Sequence, residues 1–228
     1  IHVIDDFVYD QSMTGRIAID WGFRKPSVLI MVYDEEREAT IIVHEINPQE
    51  VTIKELARMI LLIAWPRSLK ASAPSNRIWL DSGIADKAGN ARNDQTGRTA
   101  FREIMKRPEE GGIGLPIRYT TDPVLTNVLN GIQKVKRAIS RRKYLCTREV
   151  WIQGERAIGN SFRKAILSYG WSETKDEPKK DGREDPLDAL RYDCIIHYWS
   201  DLSTPSYTPK RTRSTERKGR RIGRKVDF

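Results

Sequence analysis

The chain has 228 residues, 39% of them apolar, and a net charge of +9 from 40 Lys/Arg against 31 Asp/Glu. That suffices for one large domain or two small ones, and no stretch reaches the ~20 apolar residues a membrane helix needs. The excess charge is concentrated, with nine Lys/Arg and two Asp/Glu between Pro205 and Phe228, so charge alone says little about what the rest of the chain binds.

The polar, aperiodic run Ile1–Thr14 reads as a linker or arm, and an opening at Ile1 reads as a cut from a longer polypeptide. With three aspartates between Ile1 and Asp10, the opening does not read as a signal peptide. Arg16–Asp20, Ser27–Tyr33 and Ala39–Ile46 are predicted strands joined by short turns, an antiparallel meander. Ile53, Leu56, Ile60 and Ile63 lie at helical spacing within Val51–Ala64. A crossover helix there implies parallel pairing of the next strand, Arg77–Leu80. Thr96–Lys106 is a predicted helix, Pro116–Tyr119 a fifth strand, and Pro123–Arg142 and Glu149–Tyr169 long helices. The segment between Gly83 and Pro116 is long enough to form a flap over a substrate groove. A polar loop, Ser172–Arg183, precedes the last helix, Asp185–Ser200. The Lys/Arg/Ser/Thr run of residues 205–228 reads as a disordered basic tail. The order β-β-β-α-β-α-β-α-α-α predicts an α/β fold with a mixed five-stranded sheet flanked by helices, as one domain over residues 15–204.

The candidate chemistry rests on carboxylates. Asp20 and Asp81 stand at the ends of short apolar runs, Arg16-Ile-Ala-Ile-Asp20 and Arg77-Ile-Trp-Leu-Asp81. Either can be a turn residue ending its strand. On adjacent parallel strands both would point into one cleft at the strand ends, where open α/β sheets bind ligands. Asp185-Pro-Leu-Asp188 reads as a helix start, with Asp185 a cap and Pro186 in the first turn, yet the i, i+3 spacing puts both carboxylates on one face. Three or four carboxylates without a Cys/His cluster suit Mg²⁺ or Mn²⁺, two ions at ~3.5–4 Å, and metal-assisted phosphodiester cleavage. Lys134, Lys136, Arg137, Arg141, Arg142, Lys143 and Arg148 form a basic run with no acid between Asp122 and Glu149, and phosphate binding is at least as good a reading as a solvated helix face. Arg24 and Lys25 beside Asp20, and Lys87 and Arg92 beyond Asp81, are further candidates to hold a backbone. Cys146 and Cys194 read as reduced, buried thiols. The three histidines are scattered. No phosphate loop, dinucleotide fingerprint or Gly-x-Ser-x-Gly elbow is present, so no nucleotide cofactor is expected in this chain.

Ile17-Ala-Ile-Asp20-Trp-Gly22, Ile78-Trp-Leu-Asp81, Val128-Leu-Asn-Gly-Ile-Gln-Lys-Val-Lys136 and above all Asp185-Pro-Leu-Asp188-Ala-Leu-Arg-Tyr192 resemble the nuclease domain of the large terminase subunit of tailed phages, a ribonuclease H-like (RuvC-like) family. The resemblance spans roughly residues 15–200. It implies a metal-dependent endonuclease that cuts concatemeric viral double-stranded DNA during packaging in the host cytoplasm, with a portal and a small terminase subunit as partners of the full-length protein. It places the family's acids on Asp20, Asp81 and Asp188, and Asp185 where some relatives carry another acid or a His. The family's ATPase motor normally precedes this domain, in keeping with a fragment. Two other readings use the same residues: a junction-resolving or RNA-cutting nuclease of this fold, and a non-catalytic DNA-binding or assembly module whose acids only cap and turn.

Overall fold

The computed structural model describes residues 1–21, 25–91, 98–170 and 184–198. Its strands are β1 (His2–Ile4), β2 (Thr14–Asp20), β3 (Ser27–Asp34), β4 (Ala39–Ile46), β5 (Ala64–Pro66), β6 (Ile78–Ala85), β7 (Ile117–Arg118) and β8 (Tyr144–Thr147). The helices are α1 (Ile53–Ile63), α2 (Ala100–Ile104), α3 (Pro123–Thr126), α4 (Val128–Ser140), α5 (Arg148–Arg156), α6 (Phe162–Ser168) and α7 (Asp185–His197).

Among the described residues the strands form one sheet in the order β1-β8-β4-β3-β2-β6-β5, with β7 also on β6. The expected meander is its centre, with β2–β3 and β3–β4 antiparallel. β6 joins β2 in parallel, as a crossover through α1 requires. The sheet is larger than the five strands expected, because short parallel strands extend both edges. β8 lies on β4 and β1 on β8. The opening segment is therefore part of the fold and not a free arm: Ile4, Phe7, Tyr9 and Met13 pack on the core.

Strand alternation divides the apolar side chains between two layers. Ile17, Ile19, Ile30 and Ile41 face α1, α2 and the Ile113–Ile117 segment, while Ala18, Leu29, Met31 and Ile42 face α4–α7. Phe101, Ile104, Ile113 and Leu115 are buried in the first layer, so the described part of the Gly83–Pro116 segment is core packing and not a flap. The two predicted long helices are each broken. Asn127 caps α4 by accepting from the Asn130 amide (3.0 Å), and Ser161 caps α6 by accepting from that of Lys164 (3.2 Å). These short polar side chains compete for the backbone and restart the helix. The predicted tail and the Ser172–Arg183 loop lie outside the described residues.

Candidate active site

Arg16, Ala18 and Asp20 alternate onto the face of β2 that packs against α7. α7 lies antiparallel to β2. Asp193 in its second half pairs with the Arg16 guanidinium (2.9 Å), while the carboxylates of its start, Asp185 and Asp188, act on Asp20. The Tyr192 hydroxyl donates to Asp20 Oδ1 at 3.3 Å. Asp20 is only 9% exposed. Burial, and then the charges of Asp188, Asp185 and Asp86, push its carboxyl up to about 8 from the usual 3.8. Asp185 is lifted to about 6 by burial, Glu184 and Asp188, against the pull of Lys25.

Asp86, which was not a sequence candidate, acts on Asp20 with Asp185 and Asp188, and Asp81 is not part of this group. β6 does not end at Leu80 but runs to Ala85. Its register on β2 is Gly15↔Leu80 and then Arg16↔Ser82, so Asp81 is the extra residue of a β-bulge. It lies beside Gly15, five residues and so ~16 Å along β2 from Asp20. Gly15 is needed there, since a Cβ would sit 1.9 Å from the Trp79 carbonyl oxygen. Asp81 accepts from the Gly15 amide (3.0 Å) and from Arg67 Nε and Nη2 (2.6 and 3.2 Å), while Arg67 also donates to the carbonyls of Gln11 and Met13. Asp81 thus fastens the opening segment to β6. The Asp-Ser-Gly triplet looked like a strand-ending turn because a bulge uses the same residues. Ile19↔Ala85 is the last pair of the β2–β6 ladder, and the Asp86 amide donates to the Ile19 carbonyl (3.2 Å), which brings Asp86 to the end of β2.

α7 begins at Asp185, and no side chain caps it, so the cap role expected of Asp185 is not what the structure shows. Arg191, 5% exposed, donates from Nε to Asp188 Oδ1 (2.9 Å) and lies 4.6 Å from the Tyr192 ring centre. Its approach depends on Gly131 of α4, where a Cβ would be 2.6 Å from Arg191 Cδ.

The basic candidates scatter. Lys87 lines a pocket of about 220 Å³ with Asp86 and Tyr192. Lys25 lines a cleft with Asp185, and Lys136 a crevice with Asp188. Lys134 is not a surface contact: it is 3% exposed on the inner face of α4, where burial lowers its pKa. Arg137 is half-buried. Arg141 and Arg142 follow the end of α4, next to Lys143, whose carbonyl accepts from Thr40. Thr40 pairs with Tyr33 and Tyr33 with Thr14, so both arginines sit at the sheet end opposite Asp20. Arg24 and Arg92 lie outside the described residues.

Among the described residues no three Asp, Glu, His or Cys groups are placed to enclose one ion. The donor chemistry nevertheless fits a hard divalent cation. A buried carboxylate under the charges of three others is costly as an anion without a cation, and Mg²⁺ commonly takes only one or two carboxylates, completing its shell with water and phosphate.

No protein-family model matches the chain, and no curated protein matches it. Solved structures do. The large terminase of the thermophilic bacteriophage D6E superposes with a TM-score of 0.57 at 16% identity, over 86% of this chain and 42% of that one. The nuclease domain of the P22 large terminase gives 0.56 at 14% identity, over 86% and 87%. The chain thus spans less than half of the D6E protein but most of the isolated P22 domain. The mixed sheet, the helices on its two faces and these superpositions together give one conclusion: the chain has the fold of the nuclease domain of phage large terminases.

Proposed function

We propose that the chain is a divalent-metal-dependent endonuclease that cuts double-stranded viral DNA during genome packaging. The observation that carries this reading is a buried Asp20 at the end of β2, its carboxyl raised by the charges of Asp188, Asp185 and Asp86 at the same end of the sheet. Asp20, Asp86 and Asp188, with Asp185 beside them, would hold Mg²⁺ or Mn²⁺. Bound there, two such ions would supply the charge that activates an attacking water and stabilises the leaving oxygen of the phosphodiester. Tyr192 orients Asp20 through its hydroxyl, and Arg191 holds Asp188 in place. Lys25 and Lys87 flank the acids with positive charge suited to the DNA backbone. As a packaging nuclease it would work in the host cytoplasm, within a longer polypeptide that meets a portal and a small terminase subunit.

The experiment is cleavage of supercoiled plasmid with Mn²⁺ or Mg²⁺. Nicking and linearisation are expected with either ion, none in EDTA, and a rate lower by about 10²-fold or more for Asp20→Ala. Full activity in Asp20→Ala, or no metal-dependent cutting by the intact chain, contradicts the reading.

A further inference from the structure

The end of the sheet that carries Asp20 continues past it into a second, larger depression. Asp20 pairs with Ser27 at the start of β3, and Val28 with Ile46 at the end of β4, so these ends lie at one level. With the α5–α6 connection they enclose a cleft of about 940 Å³ that reaches Asp185. Its polar lining is mainly neutral or cationic: the carboxamides of Asn47, Gln49 and Asn160, Lys25 and Lys164, with Asp185 its single acid among the described residues.

The walls are braced. Glu45 accepts from the Phe162 amide (2.5 Å) and from Asn47 Nδ2 (3.1 Å), and Asn47 Oδ1 accepts from Ser27 Oγ (2.6 Å). Lys164 donates to the carbonyls of Ala157 and Gly159 and so holds the α5–α6 connection, leaving Ile158 fully exposed at its tip. Leu167 is a second exposed aliphatic on the rim, 69% exposed. Amides and a lysine along a rigid groove suit the phosphate oxygens of a polynucleotide, and aliphatic rims suit its sugars. Such interactions fix register without reading sequence.

We propose that this cleft is the track along which the sugar–phosphate backbone of a DNA duplex runs up to Asp185, with Lys25, Gln49 and Asn160 on its phosphates. The proposal rests on the nuclease reading above for its ligand. It adds a direction of approach, from the α5–α6 side and not from the basic end of α4, where Arg141 and Arg142 stand.

The test is duplex binding followed by fluorescence anisotropy in EDTA across a salt series, so that nothing is cut. Gln49 and Leu167 are exposed, so Gln49→Glu/Leu167→Glu places two charges in the track without disturbing the core. It is expected to weaken binding roughly tenfold and to lower the salt slope by about one for each phosphate no longer held. Its Mn²⁺ binding isotherm stays that of the unmodified chain. Arg142→Glu, an equal change of charge at the opposite end, leaves affinity unchanged. Unaltered binding by the double variant overturns the track, as does an equal weakening in Arg142→Glu, which would report only overall charge. If the unmodified chain binds no duplex, the nuclease reading falls and the track with it; if it binds and cuts while the double variant binds equally well, the track alone falls.

Discussion

Asp20 is the residue on which stability and chemistry oppose each other. Its folded-state pKa is raised, from 3.8 to about 8, so the native state holds this proton more tightly than the unfolded chain does. Without metal, the contribution of Asp20 to stability is therefore fully present below about 4 and is lost as pH rises towards about 8, with Asp185 adding a loss of the same sign up to about 6. A cation reverses this, because it binds the deprotonated carboxylates. The rise in unfolding temperature caused by Mn²⁺ is thus expected to be larger at pH about 8 than at pH about 6, as measured by differential scanning fluorimetry; a rise independent of pH would contradict the coupling. Asp81 and Asp86 separate structure from chemistry. Asp86→Asn is expected to abolish metal-dependent cutting with little change in stability. Asp81→Asn keeps cutting and is less stable by about 1 kcal/mol in denaturant unfolding, since it weakens a part-exposed pair with Arg67.

At the scale of elements, α7 is what turns a sheet into a site. Two attachments on one helix, Asp193 to Arg16 and Tyr192 to Asp20, set its height along β2. The first is deeply buried: Asp193 is 0% exposed, Tyr144 Oη donates to its Oδ2 at 2.6 Å, and Arg16 also reaches Thr40. Removing one member of such a pair strands the other charge. Arg16→Met is therefore expected to cost about 3–5 kcal/mol, and Arg16→Met/Asp193→Met to recover most of it, in urea unfolding. Equal destabilisation in both variants would show that the pair itself, not the stranded charge, sets the cost. The meander, α1 and α7 were legible in the sequence because local periodicity or a helix-start signal marks each. The bulge at Asp81 was not, since Asp-Ser-Gly serves a turn and a bulge equally. Three-residue strands such as β1 and β5 were not legible either, because pairing with distant partners defines them, not their own pattern. Of the acids proposed for the site, Asp20, Asp185 and Asp188 are sequence candidates; Asp86 is not, because its place follows from a register that only the folded sheet fixes.

For the whole molecule, position outweighs the sum of charges. The described basic residues divide between the two ends of the sheet, and only Lys25, Lys87 and Lys136 among the sequence candidates line cavities beside the acids. The most basic stretch, residues 205–228, is a separate contributor. Truncation after Leu202 is expected to lower DNA affinity and its salt slope while leaving Mn²⁺ affinity unchanged, and an unaltered slope would remove this stretch from DNA binding. The carboxylate edge is the part on which the rest depends, and anomalous diffraction from a crystal soaked in Mn²⁺ tests it most directly. Manganese is expected on Asp20 together with Asp86 and Asp188, with Asp185 beside it. Manganese at Asp81, or an Asp20 without metal under conditions in which the protein cuts DNA, would contradict it.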